Sequence, residues 1–210
     1  MKPISVAIVF LLSTTISGYC ADNLKQNFEG PIFPPAGWTI ELSGTGPYWE
    51  ALWNRQDYNG SFWAFGLANA GAGTGLSTSD SKLFTPYSTL NQGDFLIIRF
   101  TMFGEIVPPV AYQNYVAIYL YDGSNEVWHH TALVYQIPSL PTAIKLVTGA
   151  IPANSTNYRI CWWLHAVGGN NLPSTTSTVH LDNVIITRIA SSRNNISSTT
   201  LGQLKAVYAR

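Results

Sequence analysis

The sequence predicts an all-β protein, about ten strands closed into a β-sandwich or a barrel. Three observations carry this expectation. β-Branched and aromatic residues recur in short runs, turn-forming residues separate those runs, and no stretch before residue 195 sustains helical spacing over three turns.

In chain order the runs are 38–40, 48–53, 61–65, 94–103, 115–121, 127–134, 143–147, 158–166 and 178–189. Asn59-Gly60 stands between the second and third, a pair suited to a tight hairpin turn. Asn91-Gln92-Gly93 precedes the fourth, and Asp122-Gly123-Ser124 separates the fifth from the sixth. Pro138 and Pro141 break the chain before 143–147; Ala153-Asn154-Ser155 and Gly168-Gly169-Asn170-Asn171 introduce the last two runs. Alternation is clear within 115–121, where Tyr115, Ala117, Tyr119 and Tyr121 share one face and Val116, Ile118 and Leu120 the other. Residues 66–81, rich in Gly, Ala and Ser, are expected to form a long surface loop near a binding face. That stretch lacks the Lys-Ser/Thr ending and following helix of a phosphate loop, which argues against a nucleotide cradle.

The chain has 210 residues, with 11 Lys+Arg balancing 11 Asp+Glu and only 10% charged, against about 25% in ordinary soluble domains. Balanced charge without a basic cluster removes the electrostatic footprint that nucleic-acid binding needs. Hydrophobic content of 46% suffices for one packed domain. Lys2, the apolar run 4–16 and the small residues up to Cys20 read as a signal peptide over 1–20, so a secreted protein is expected. No later segment reaches the length of a transmembrane helix. Residues 22–190 are then the domain and 191–210 a flexible tail. Cleavage near Cys20 leaves Cys161 alone, which excludes a disulfide framework and makes that thiol a buried small hydrophobe.

Asn27-Phe28-Glu29-Gly30 followed by Phe33-Pro34-Pro35-Ala36-Gly37-Trp38 opens the domain; Val179-His180-Leu181-Asp182-Asn183-Val184 closes it. With Ser81-Lys82-Leu83-Phe84-Thr85-Pro86 between them, these segments resemble the cleaved-adhesin and choice-of-anchor J domain family. His180 departs from the aromatic residue usual at that position in the family. The resemblance implies a jelly-roll β-sandwich that adheres to or binds a ligand outside the cell, without catalysis of its own. It also implies that the first and last strands lie close together. Glu29 and Asp182 are then candidate ligands of Ca²⁺, which takes 6–8 oxygens and would fill the rest from carbonyls and water. The alternative is that both carboxylates cap strand ends or accept backbone N–H bonds.

Catalytic signatures are missing. There is no Gly-x-Ser-x-Gly elbow, no His-Glu-x-x-His and no paired-Cys zinc spacing, and the acids stand singly along the chain. His129 and His130 point to opposite faces of a strand, while His180 and Asp182 share one. Aromatics are the richer signal at 13%. Trp38, Trp162 and Trp163 read as core, whereas Trp49, Trp53, Tyr58 and Trp63, flanked by amides, read as a ligand face for a glycan or protein partner. A surface or filament subunit that oligomerises through its sheet edges, and a glycan-active enzyme, are the rival expectations.

Overall fold

A computed structural model describes residues 20–107, 114–130, 137–169 and 173–191, which form twelve strands, nine of them on the predicted runs. They begin with β1 (Cys20–Gln26), β2 (Thr39–Thr45), β3 (Trp49–Tyr58), β4 (Ser61–Ala70), β5 (Leu76–Phe84) and β6 (Ser88–Leu90). β7 (Phe95–Val107), β8 (Asn114–Asp122), β9 (Asn125–His130), β10 (Thr142–Val147), β11 (Ser155–Gly169) and β12 (Thr175–Ile189) follow. No helix among the described residues is long and apolar enough to cross a membrane.

The strands build two six-stranded antiparallel sheets packed as a jelly-roll β-sandwich, as expected. One runs β10-β7-β12-β4-β3, with β1 taking over from β4 along the second half of β12. The other runs β2-β5-β11-β8-β9, with β6 taking over from β5 along the start of β11. Both long strands, β11 and β12, are therefore central. The Asn59-Gly60 turn joins β3 to β4 with both residues at positive φ, 55° and 82°, and the Gly60 N–H donates to Asp57 Oδ1 at 2.9 Å. Most of the expected signal segment and of the tail lies outside the described residues. The expected cleavage point falls within β1, where Ala21 pairs with Arg188 and Gln26 with Val184.

Between the sheets, Trp38 stacks on Trp162 with ring centroids 6.0 Å apart, and Phe28 and Phe100 meet these two rings edge-on. Val116, Ile118 and Leu120 point inward from β8, as their alternation predicts. Trp163 corrects the expectation that both tryptophans of the pair are core. Adjacent residues on a strand face opposite ways, so burying Trp162 turns Trp163 outward.

Residues 66–81 do not form a long loop. β4 continues to Ala70 and β5 starts at Leu76, leaving a short connection between them. The small residues that suggested a loop serve close sheet packing instead. Ser79 Oγ donates to the Glu50 carbonyl at 2.6 Å and Ser81 Oγ to the Leu52 carbonyl at 2.8 Å, so the β11 sheet caps the edge of β3 in the opposite sheet. Thr175 Oγ1 and Ser177 Oγ make matching bonds from β12 to the Val167 and His165 carbonyls. A Cβ added to Gly168 would lie 2.3 Å from the Ala70 carbonyl oxygen. Ser81→Ala should cost about 1–3 kcal/mol by stranding the Leu52 carbonyl, read as a lowered denaturation midpoint; an unchanged midpoint excludes this edge cap as a stabilising contact.

Candidate functional site

The four aromatics expected to form a ligand face do not share a surface. Trp53 is 5% exposed and belongs to the central core, because β3 turns Trp53 toward the opposite sheet. Trp49 sits on the same side of β3 at the start of the strand, 44% exposed and packed on Gly44. Tyr58 and Trp63 lie on the outside of the β12 sheet, where they meet Phe103, and Tyr58 also meets His180. Trp63 is only 7% exposed, and Phe103 and His180 stack at 4.3 Å, so this patch is packed rather than open.

A different aromatic face stands on the outside of the β11 sheet, and register builds it. On β11, Arg159, Cys161, Trp163 and His165 alternate outward. Opposite them on β8 are Tyr121, Tyr119, Ala117 and Tyr115, and on β5 Phe84, Lys82 and Asp80 face Cys161, Trp163 and His165. Ala117 and Cys161 leave room for their large neighbours. The Trp163 indole thus fits between Tyr115 and Tyr119, at centroid distances of 5.4 and 5.3 Å. Tyr119 and Tyr121 stack at 5.7 Å, Tyr115 and His165 at 4.9 Å. Phe84, Tyr119 and Cys161 form the packed centre, while Tyr115, Tyr121, Trp163 and His165 are half-buried.

Polar groups hold these rings in place. Asp80 Oδ1 accepts the Trp163 indole N–H at 2.6 Å and lies 2.7 Å from His165 Nδ1. Lys82 Nζ stands 4.3 Å over the Trp163 ring, and the Arg159 guanidinium 3.8 Å over Phe84. Burial opposes ionisation of Asp80, but the hydrogen bonds from His165 and Trp163 and the charges of His165 and Lys82 outweigh it, leaving the carboxyl below its usual 3.8. Burial, with nearby negative charge adding to it, raises all three phenols, Tyr121 to about 12, so Tyr115, Tyr119 and Tyr121 remain neutral hydrogen-bonding groups. Burial likewise pushes the Cys161 thiol far up and makes it unreactive.

Asp80→Ala should therefore destabilise the protein by about 1–3 kcal/mol at neutral pH, because it leaves two ring nitrogens without their acceptor. A depressed carboxyl stabilises above its unfolded value and loses that contribution as pH falls through the folded one. The gap between variant and wild type should accordingly narrow below about pH 4; a gap independent of pH in denaturant titrations contradicts this role.

At the other candidate position, Glu29 and Asp182 lie close enough for the Glu29 charge to act on Asp182. Glu29 Oε1 accepts from Ser61 Oγ at 2.7 Å and from the Phe62 N–H at 3.1 Å, the backbone bonding that the alternative reading anticipates. Arg55 donates to the carbonyls of Phe28 and Glu29, both at 3.2 Å. Asp182 is 4% exposed and sits at the irregularity of β12 between its pairings at Asp182 and Ile185. Its Oδ2 accepts from Asn183 Nδ2 at 2.9 Å, while Oδ1 is buried without a partner. Burial first, and the Glu29 charge in addition, push its carboxyl up to about 6. Phe28 and Asn183 both take positive φ, 54° and 51°, beside these carboxylates. Among the described residues no three His, Cys, Asp or Glu side chains cluster, so a cation here would draw further oxygens from carbonyls or water.

No family model and no curated protein matches this chain. Solved structures with a similar arrangement include a Stig cyclase, Fisc, from Fischerella sp. TAU, bound to (3Z)-3-(1-methyl-2-pyrrolidinylidene)-3H-indole. That match has 16% identity and TM-score 0.44 over 81% of this chain and 100% of that one. The K1 cleaved adhesin domain of Lys-gingipain from Porphyromonas gingivalis W83 matches at 18% identity and TM-score 0.43, covering 79% and 97%. A family 11 carbohydrate-binding module from Clostridium thermocellum, in complex with a β-1,3-1,4-mixed-linked tetrasaccharide, matches at 9% and 0.43, covering 80% and 95%. The likeness extends to the β-sandwich and no further; a cleaved adhesin domain, the family suggested by the segments around Glu29 and Asp182, is among them.

Proposed function

We propose that this protein is an extracellular binding module that holds a carbohydrate on the outer face of its β11 sheet. The observation that supports the reading is the set of half-buried rings, Tyr115, Tyr121, Trp163 and His165, held by Asp80 and surrounded by neutral phenols. Sugar rings present apolar C–H faces edged by hydroxyls, and aromatic planes with fixed donors and acceptors complement both. Immobilised polysaccharides and a glycan array test the proposal with the full chain. Retention that disappears in Trp163→Ala supports it; no retained glycan, or retention indifferent to Trp163, removes it. One observation favours a catalytic role, the Asp80–His165 pair at 2.7 Å beside the same rings. Release of product from a bound glycan, abolished in Asp80→Asn while the fold survives, would establish that role instead.

We further propose that Ca²⁺ binds at Asp182 and Glu29. The buried, unpartnered Asp182 Oδ1 fits a hard cation, and Glu29 supplies a second carboxylate. The ion would link the turn after β1 to β12, a structural role without a disulfide.

A further inference from the structure

Thickness varies along the sandwich. At one end the inward residues are small, and serine and threonine hydroxyls reach directly from sheet to sheet. Large rings fill the middle. At the opposite end, beyond Tyr158 and Ile160, the sheets diverge around a cavity of about 460 Å³. Leu96 and Ile186 line it from the β12 sheet and Leu120 and Ile160 from the β11 sheet, while Pro86 to Leu90 cross above it. Its size falls within the range of small-molecule sites, about 300–1,000 Å³. The Tyr158 hydroxyl already donates to the Ala153 carbonyl, so the interior wall presents aliphatic surface.

The lining also includes two arginines. Arg188 Nε donates to Asp94 at 2.7 Å, and Asp94, 2% exposed, also accepts from the Asn91 and Ser191 N–H groups. Both oxygens of that carboxylate are thus already engaged by protein donors. Arg159 donates through Nη2 to the exposed Glu41 at 3.2 Å, but its Nε is buried and has no partner. An aliphatic chamber with a cationic, incompletely satisfied lining matches a molecule that has an apolar chain and an anionic head.

We infer that this cavity binds a medium-chain carboxylate of about eight to ten carbons, its chain along Leu96, Leu120 and Ile186 and its head at Arg159 and Arg188. Leu120 of the chamber and its neighbour Tyr119 of the proposed glycan face point to opposite sides of β8, while Arg159, whose guanidinium also lies over Phe84, borders both.

Calorimetric titration of the full chain with decanoate, below its micellar concentration, tests the inference, with acetate and decyltrimethylammonium as probes of head alone and of reversed charge. The expected result is saturable one-to-one binding of decanoate, at least tenfold weaker binding of the other two, and about a tenfold loss in Arg159→Gln. Leu120→Trp fills the chamber and should abolish binding, while Tyr119→Ala should leave it intact. Ser88→Trp, at an exposed position of the lining, obstructs the entrance and provides the same reading should Leu120→Trp fail to fold. The inference is overturned if decanoate does not bind saturably, if decyltrimethylammonium binds equally well, if folded Leu120→Trp or Ser88→Trp retains decanoate, or if Tyr119→Ala loses it.

Discussion

In a chelating buffer at pH 7, Asp182→Asn should raise the stability of this protein rather than lower it. The wild-type carboxyl is raised from 3.8 to about 6 on folding. A raised carboxyl favours the protonated folded state, so its ionisation costs nothing below the unfolded value and the full penalty above the folded one. For Asp182 that penalty is on the order of 1–3 kcal/mol at pH 7, or roughly 3–10 °C in melting temperature for a chain of this size. Without calcium, wild type should gain stability as pH falls from about 6 to 4, and Asp182→Asn should not. Adding Ca²⁺ reverses the order. An ion at a hundredfold excess over its dissociation constant stabilises by about 2.7 kcal/mol, and only a chain retaining Asp182 should receive that gain. Identical wild-type melting curves in chelator and in calcium would dispose of the ion. A chelated Asp182→Asn that melts below wild type would dispose of the unpaired carboxylate.

Trp163→Ala should weaken glycan binding by at least tenfold while leaving the core intact. Aromatic anchors at the centre of a binding face commonly carry more than 1 kcal/mol each, and Trp163 touches Tyr115, Tyr119, His165 and Lys82 at once. Trp63→Ala supplies the contrast. Its ring is packed on the far sheet, so removal should destabilise the fold by about 3–5 kcal/mol without changing affinity in the protein that remains folded. Between pH 8 and 10 binding should stay level, because burial raises the phenols of Tyr115, Tyr119 and Tyr121 and keeps them neutral. Equal loss of binding in both tryptophan variants would show that the face has been misplaced.

Much of this architecture was legible in the chain. Runs such as 115–121 and 178–189, and the Asn59-Gly60 turn, state their own conformation through alternation and positive φ. β5 was not legible. Before Leu83 its inward positions are all serines, Ser77, Ser79 and Ser81, and the place of Ser79 and Ser81 in the interior follows from hydroxyl bonds to a sheet edge that only the tertiary fold provides. The aromatic candidates failed for a related reason. Composition marks Trp53 and Trp63 as conspicuous, but parity along β3 and β4 decides which side each ring occupies. The face on the β11 sheet did leave a signal, since Arg159, Cys161, Trp163 and His165 alternate with Tyr158, Ile160, Trp162 and Leu164. Following that alternation through the adjacent tryptophans, instead of assigning both to the core, leads to the outer row. Glu29 and Asp182 were paired through a family resemblance; spacing alone connects residues this far apart in no way.

β12 joins β7 to β4 and also carries β1. Until residues 175–189 emerge during synthesis, the strands on its two sides have no shared neighbour, and half of the molecule has nothing to assemble around. The polypeptide must therefore remain open through most of its production, with its apolar strands uncovered, and then close in one late event. A ribosome-bound fragment ending before residue 175 should be digested by protease throughout, whereas one that exposes residue 191 should resist.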